Sequence, residues 1–305
     1  MLILSNYGVY TSYTVLILLT INHKTMKRIL LIALAALIAF PQMTVAKKKS
    51  EGLKVMSYNI RLGIGKDGTN KWEYRWPATI EMLSEVKPDV FGVQEAYDFQ
   101  VKLVSELADD YKMVGVGRED GKSKGEHMSI FWNTKTAKMI KWGTFWLSET
   151  PETPSKGWDA ACIRTATWAL MKDKKTGKKF YFVNTHLDHR GKQAQKEGLK
   201  LIVDRIGSIN PEGYPMVLTG DFNVLPDDPC LTDLDKIMTS TRKIAKKTDK
   251  KGTFNGWRKD KEGGIIDYIY VSGFGDVLEY ETITKEFAGK PFISDHYPIM
   301  SVLVF

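Results

Sequence analysis

The stretch Pro215–Asp228 reads P-M-V-L-T-G-D-F-N-V-L-P-D-D. Met216–Leu218 has the apolar content of a buried strand, and Gly220 with the Pro- and Asp-rich turn beyond it marks where that strand leaves the core. Asp221 and Asn223 stand at this end, an acid and an amide two residues apart. Asp227 and Asp228 read as ordinary turn residues.

The same arrangement recurs along the chain. Leu53–Ile60 alternates as a strand and carries Asn59 at its end, Val90–Val93 runs into Gln94-Glu95, and Phe180–Asn184 runs into Thr185-His186-Leu187-Asp188-His189. Asp267 lies within the strand-like Ile265–Val271, and Ser294-Asp295-His296 precedes the last apolar run, Ile299–Phe305. Between these, Arg75–Val86, Phe99–Leu107 and Lys192–Ile209 space their apolar residues as helices do. Further strands are expected at Met128–Trp132, Lys138–Leu147, Ile163–Leu170 and Val277–Ile283. Strands that mix with helices but mostly neighbour other strands predict stacked sheets covered by helices.

Taken singly, each polar strand end has a plain structural reading. An Asp there caps a turn or a helix, Glu95 can start the next helix, Asp267 can pair with a lysine, and Asn59 can satisfy backbone groups. Taken together, the set offers the carboxylate and amide oxygens that hard divalent cations prefer. Its two histidines are able to act as acid, base or anion stabiliser near neutral pH.

Composition sets the outer limits. The chain has 305 residues, 43% hydrophobic and 26% charged, which is ordinary for a globular protein with one large domain or two small ones. Met26-Lys27-Arg28, the apolar run Ile29–Phe40 and Thr44-Val45-Ala46 have the layout of a secretory signal cleaved after Ala46. We therefore expect residues 1–46 to be an N-terminal extension and signal, 47–305 to be one catalytic domain, and the protein to be periplasmic or secreted. Residues 1–50 hold six basic residues and no acid, so the net charge of +8 falls to +2 for 51–305. That is no nucleic-acid footprint. The basic run Lys172–Lys179 reads as a hairpin tip, and Arg242–Lys251 as a candidate flank for an anionic substrate. The two cysteines, Cys162 and Cys230, fit no zinc or thiol-catalysis spacing, and whether they pair is open.

Six segments now carry a resemblance: Ser57-Tyr58-Asn59-Ile60-Arg61, Gln94-Glu95, Asn184-Thr185-His186-Leu187-Asp188, Gly220-Asp221-Phe222-Asn223, Ile266-Asp267-Tyr268-Ile269 and Ser294-Asp295-His296-Tyr297-Pro298. In this order they resemble the signature of the endonuclease/exonuclease/phosphatase superfamily over about residues 53–305. Gly157-Trp158-Asp159-Ala160-Ala161 with Arg164–Trp168 is similar to an exported bacterial branch. The resemblance implies an α+β fold, a four-layer αββα sandwich of two packed mixed sheets flanked by helices, as in DNase I. It implies that Glu95 is the principal Mg²⁺ ligand, with Asn59 and Asp295 as companions and Mn²⁺ as a substitute. Asp221 would align or deprotonate the attacking water and Asn223 would hold the phosphate. His296, oriented by Asp267, would contact the scissile phosphate, and His186 would stabilise it or protonate the leaving group.

Several neighbours stay two-sided. Arg164 either clamps a phosphate from inside or is solvated; Asp188 braces the loop after His186; His189 meets substrate or water; Trp158 and Asp159 form a substrate rim or simply pack. The expected activity is an exported Mg²⁺-dependent phosphoesterase cleaving a phosphate ester by in-line attack of water, with a phosphodiester placed first. Nuclease or 3′–5′ RNA exonuclease, inositol or sugar phosphatase, and sphingomyelinase-like activities are the alternatives. Nucleic acid, a phospholipid headgroup or a phosphorylated small molecule would be the substrate, and the protein would act as a monomer without an obligate protein partner. A binding module with a decayed site is disfavoured because none of the key residues is missing. A Ser or Cys hydrolase is disfavoured because there is no G-x-S-x-G elbow.

Overall fold

The computed structural model describes residues 52–259 and 263–305, and the compact unit within it is Gly52–Phe305. The expected signal and extension, residues 1–46, lie outside the described residues. Two six-stranded sheets form the core. The first contains β1 (Leu53–Asn59), β2 (Val90–Gln94), β4 (Tyr111–Val114), β6 (Ile130–Asn133), β13 (Asp276–Thr282) and β14 (Ile299–Val304), in the order β13-β14-β1-β2-β6-β4. The second contains β7 (Ala137–Trp146), β8 (Thr165–Asp173), β9 (Lys179–His186), β10 (Met216–Asp221), β11 (Thr239–Ser240) and β12 (Asp267–Ser272), in the order β11-β12-β10-β9-β8-β7. A two-stranded ribbon joins β3 (Ala96–Tyr97) to β5 (Glu126–His127).

Both sheets follow one plan, a central parallel pair with antiparallel strands outside it. The central strands are buried on both faces, so their alternation sorts apolar side chains between two cores rather than between core and water. Val55, Val90, Phe182 and Val217 point into the layer between the sheets. Met56 and Phe91 instead meet Ala78, Met82 and Leu83 of α1 (Trp72–Val86) and Val101 and Val104 of α2 (Asp98–Leu107). On the outer face of the second sheet, Tyr181, Val183 and Leu218 meet Leu199 and Ile202 of α3 (Lys192–Ile209) and Leu234 of α4 (Thr232–Ile237). The result is the expected layering of helices, sheet, sheet and helices. The expected elements are present with shifted ends, the most consequential being β10, which carries Asp221 inside the sheet rather than beyond it.

A polar tie crosses the mostly apolar middle layer. Asn184 of β9 donates from Nδ2 to Val93 O at 2.8 Å and Ser129 O at 3.2 Å, while its Oδ1 accepts from Gln94 Nε2 at 2.6 Å and Thr219 Oγ1 at 3.1 Å. Gly92 makes room for it, since a Cβ there would lie 2.4 Å from the Asn184 amide. Each buried polar atom in this group that lost its partner would cost about 1–3 kcal/mol, so the sheets have one favoured register against each other.

Candidate active site

The topology brings the polar strand ends to one edge. Because β1 and β2 run parallel, Asn59 pairs with Gln94 at their shared ends and places Glu95 immediately beyond. Because β9 and β10 run parallel, His186 and Asp221 end opposite each other, and the antiparallel β12 begins there, with Asp267 opposite Asp221. Asp295 and His296 lie just ahead of β14, which is antiparallel to β1. Strands from both sheets thus deliver Asn59, Glu95, His186, Asp221, Asn223, Asp267, Asp295 and His296 to one cluster.

Hydrogen bonds across the sheets connect it. Asn59 Nδ2 donates to Glu95 Oε1 and Asp221 Oδ2, both at 3.0 Å, and lies 3.5 Å from His296 Nε2. Asn223 Nδ2 donates to His186 Nε2 at 3.0 Å and to Leu187 O at 3.1 Å. His296 Nδ1 is 2.9 Å from Asp267 Oδ2. Three non-glycine residues here hold left-handed backbone, Arg61 (φ 61°), Glu95 (φ 62°) and Asn223 (φ 54°). Such conformations cost on the order of 1–3 kcal/mol each and need local support. Asn59 Oδ1 accepts from Arg61 N at 3.0 Å, Glu95 Oε2 from Leu62 N at 3.1 Å, and Asp221 Oδ1 from Asn223 N at 2.9 Å.

Burial and neighbouring charge set the protonation states. Burial alone would lower His296, but Asp267 and Asp221 override it and push its pKa up to about 10, so it is an imidazolium at neutral pH. Burial, reinforced by Arg164 and Arg118, holds His186 well below its ordinary value, so it is neutral. With Asn223 donating to Nε2, the His186 proton sits on Nδ1, which is buried without a hydrogen-bond partner and lies 4.0 Å from Glu126 Oε2. Burial raises the Asp221 pKa to about 7; His296 opposes that shift, while Asp267 and Glu95 add to it. Asp295 is also raised, chiefly by burial.

The residues fit a hard divalent cation. Glu95, His186 and Asp221 offer donor atoms all within 4.8 Å of one another. Glu95 Oε2 and Asp295 Oδ2 stand 3.8 and 3.5 Å from the same nitrogen, Arg61 Nη1, whose guanidinium is also gripped by Asp67 through Nε at 3.1 Å and Nη2 at 2.9 Å. Burial is what chiefly raises the Asp221 and Asp295 carboxyls, and an oxygen-seeking cation would stabilise their charged forms beyond what His296 and Arg61 do. Asn59 turns its amide nitrogen to Glu95 and Asp221 and its oxygen to Arg61 N, so it bridges the carboxylates here.

The neighbours that sequence left two-sided now have places. Arg164 faces inward, only 5% exposed, with Nε donating to Asp188 Oδ2 at 3.3 Å and Nη2 3.1 Å from His189 Nδ1. Asp188 does brace its loop: burial works against its charge, but backbone N–H groups of Gly191, Arg190, Ala161 and Cys162 hold it well below the usual carboxylate range. Asp159 accepts from Gln193 N at 3.3 Å and Ala194 N at 2.7 Å, which caps α3. Trp158 packs against the outer core of the second sheet. Cys162 and Cys230 are both free. The basic run Arg242–Lys251 is taken up by ion pairs, Arg242 with Asp249, Lys243 with Asp235, Lys246 with Asp276 and Lys247 with Glu279.

Sequence reading missed two residues beside His186. Arg118 Nη1 donates to Glu126 Oε2 at 2.6 Å, and both side chains are buried. Their only signal was a pair of charged residues in the glycine-rich stretch G-R-E-D-G-K-S-K-G-E, Gly117–Glu126.

With this geometry in view, the comparisons with known proteins are decisive about kinship. The Endonuclease/Exonuclease/phosphatase family profile matches residues 56–296. The chain belongs to that family. It is similar to a mannosyl-6-phosphatase of Bacteroides thetaiotaomicron VPI-5482, at 35% identity over 83% of this chain and 100% of the other, with a TM-score of 0.79. It is also similar to an endonuclease/exonuclease/phosphatase of Bacteroides vulgatus, at 33% identity over 82% and 98%, with a TM-score of 0.77. The human Nocturnin catalytic domain, at 19% identity over 84% and 94% and a TM-score of 0.65, shares the fold. As a family member, the protein is a hydrolase acting on phosphate esters.

Proposed function

We propose that the protein is an exported, Mg²⁺-dependent phosphatase that removes phosphate from a phosphorylated sugar. The observation that carries this reading is its 35% identity, across 83% of the chain, to a mannosyl-6-phosphatase. The phosphodiester that the sequence placed first becomes the second reading, since the likeness to Nocturnin is a likeness of fold alone. The basic and apolar layout of Met26–Ala46 supports export, and the protein would act as a monomer.

Glu95 and Asp295, with Asn59 between Glu95 and Asp221, would hold the cation, and Mn²⁺ would replace Mg²⁺. When bound, the ion neutralises charge on the phosphate oxygens and on the departing sugar oxygen. The chain's own residues supply the rest. Asp221, in its ionised form, orients a water and takes its proton as the water oxygen bonds to phosphorus and the bond to the sugar oxygen breaks. The His296 imidazolium, steadied by Asp267, points Nε2–H at a non-bridging oxygen. Asn223 Nδ2, which in the free site donates to His186 Nε2, would turn to the phosphate from the other side, with the neutral His186 Nε2 beside it as an acceptor. Arg164 and His189, joined at 3.1 Å, complete the wall next to His186.

The test is phosphate release by the purified chain from mannose 6-phosphate, glucose 6-phosphate and p-nitrophenyl phosphate, alongside bis-p-nitrophenyl phosphate, single-stranded RNA and DNA, and sphingomyelin. Release from a hexose phosphate with Mg²⁺ and none with EDTA is expected. Preferential cleavage of a diester would overturn the sugar monoester, and equal activity in EDTA would overturn the cation.

A further inference from the structure

We propose that Arg118 is a specificity residue that recognises hydroxyl groups on the sugar part of the substrate, with Arg164 as the opposite wall of the same pocket. This rests on the sugar-phosphate reading above and adds to it where the alcohol part sits.

The residues of the proposed pocket stand behind His186. The ring's Nε2 edge faces Asp221 at 3.5 Å, and its opposite nitrogen, Nδ1, faces Glu126 at 4.0 Å. Arg118 is fixed on that second side. Its backbone N–H donates to Glu126 O at 3.0 Å, its carbonyl accepts from Trp146 Nε1 at 2.7 Å, and its Nη1 donates to Glu126 Oε2 at 2.6 Å. No described residue accepts from its Nε or Nη2, and neither atom is sealed from solvent. Arg164 is built alike: Nε is on Asp188, Nη2 is on His189, and Nη1 has no acceptor among the described residues. Both guanidinium groups act on the Glu126 carboxyl, and Tyr97, half-buried, is close enough to feel Arg118, Glu126 and Cys162. On the Arg164 side His189 is exposed and Cys162 partly so.

Charge selects the occupant. Each arginine is already matched by its own carboxylate, Glu126 or Asp188, so the pocket has no surplus positive charge to draw in a second phosphate. What it presents is rigid donors beside acceptors at fixed spacing. A sugar hydroxyl both donates and accepts, and neighbouring hydroxyls match a planar guanidinium with an adjoining carboxylate. His186 Nδ1–H, buried and without a hydrogen-bond partner among the described residues, faces Glu126 on this same side.

The experiment compares kcat/KM of the wild type, Arg118→Lys and Arg118→Met, with Mg²⁺, on mannose 6-phosphate and on p-nitrophenyl phosphate, whose alcohol part has no further hydroxyl. Lysine keeps the charge and the pairing to Glu126 but loses the fork. The ratio of the two kcat/KM values is expected to fall about 10- to 100-fold in both variants, the range set by losing hydroxyl recognition. A ratio within about threefold of the wild type's in the Arg118→Lys variant overturns the proposal, whether the two rates fall together or neither moves. Melting temperatures of the variants separate this from misfolding. A wild type that turns over p-nitrophenyl phosphate but no hexose phosphate, or neither, refutes the sugar reading itself and this inference with it.

Discussion

His186 and His296 stand at nearly the same distance from Asp221, 3.5 and 3.7 Å, yet the chain holds one neutral and the other charged. Both are buried, so burial is not what separates them. The difference lies behind each ring. Asp267 contacts His296 Nδ1 directly, whereas behind His186 the carboxylate of Glu126 is held by Arg118, and Arg164 adds a second cation. An imidazole beside an acid therefore becomes a cation or stays neutral according to its second neighbour, and this site has one of each on the two sides of Asp221.

The broadest way to break the comparison is to remove the cation. EDTA is expected to lower phosphate release at least ~10³-fold, about 4 kcal/mol of barrier, with recovery on adding Mg²⁺ or Mn²⁺. Next, His296→Gln and His186→Gln should differ. A charged imidazole has no amide substitute, so His296→Gln is expected to cost ~10²–10⁴ in kcat, while His186→Gln, which trades one neutral hydrogen-bonding group for another, costs on the order of 10-fold. Equal losses would show that the two rings do the same work.

Stability against pH sharpens the contrast further. His296 binds its proton more tightly folded than unfolded, so its contribution is complete below pH 6.5 and fades as pH rises through about 10. His186 is lowered, so the unfolded chain takes up a proton there below pH 6.5 while the folded one resists, and stability falls toward acid. In metal-free protein, melting temperatures should show His296→Gln flattening the alkaline limb and His186→Gln the acid limb. The opposite pattern would reverse the charge assignment. The smallest effect is confined to the His186 side: Asp159→Ala removes the cap of α3 and is expected to cost about 1 kcal/mol of stability by urea unfolding.

The polar strand ends were legible because a strand's last residues are fixed by local pattern, and Asn59, Glu95, His186, Asp221, Asp267 and His296 all follow apolar runs or interrupt them. Which sheet each strand joins was not legible, since pairing such as Asp221 with Asp267 links residues far apart in the chain. Arg118 and Glu126 escaped notice for a related reason: β5 is two residues long, and its partner, the equally short β3, follows directly on Glu95. Asp159 stayed two-sided because its donors, the first N–H groups of α3, lie more than thirty positions away. The inward turn of Arg164 was equally invisible, for a charged residue just before a strand reads the same on either face.

The tie from Gln94 through Asn184 to Thr219 has a consequence for anyone reshaping this enzyme. Those side chains sit one step behind Glu95, His186 and Asp221 on strands from opposite sheets, so the two halves of the reaction centre are aligned by a fastening that no substrate touches. Loops at the rim, such as the one carrying Arg118, are free to be exchanged for new preferences without disturbing that alignment. Asn184 is not: exchanging it would shift the halves of the chemistry against each other while removing none of the reacting groups, an enzyme complete in its parts and out of focus.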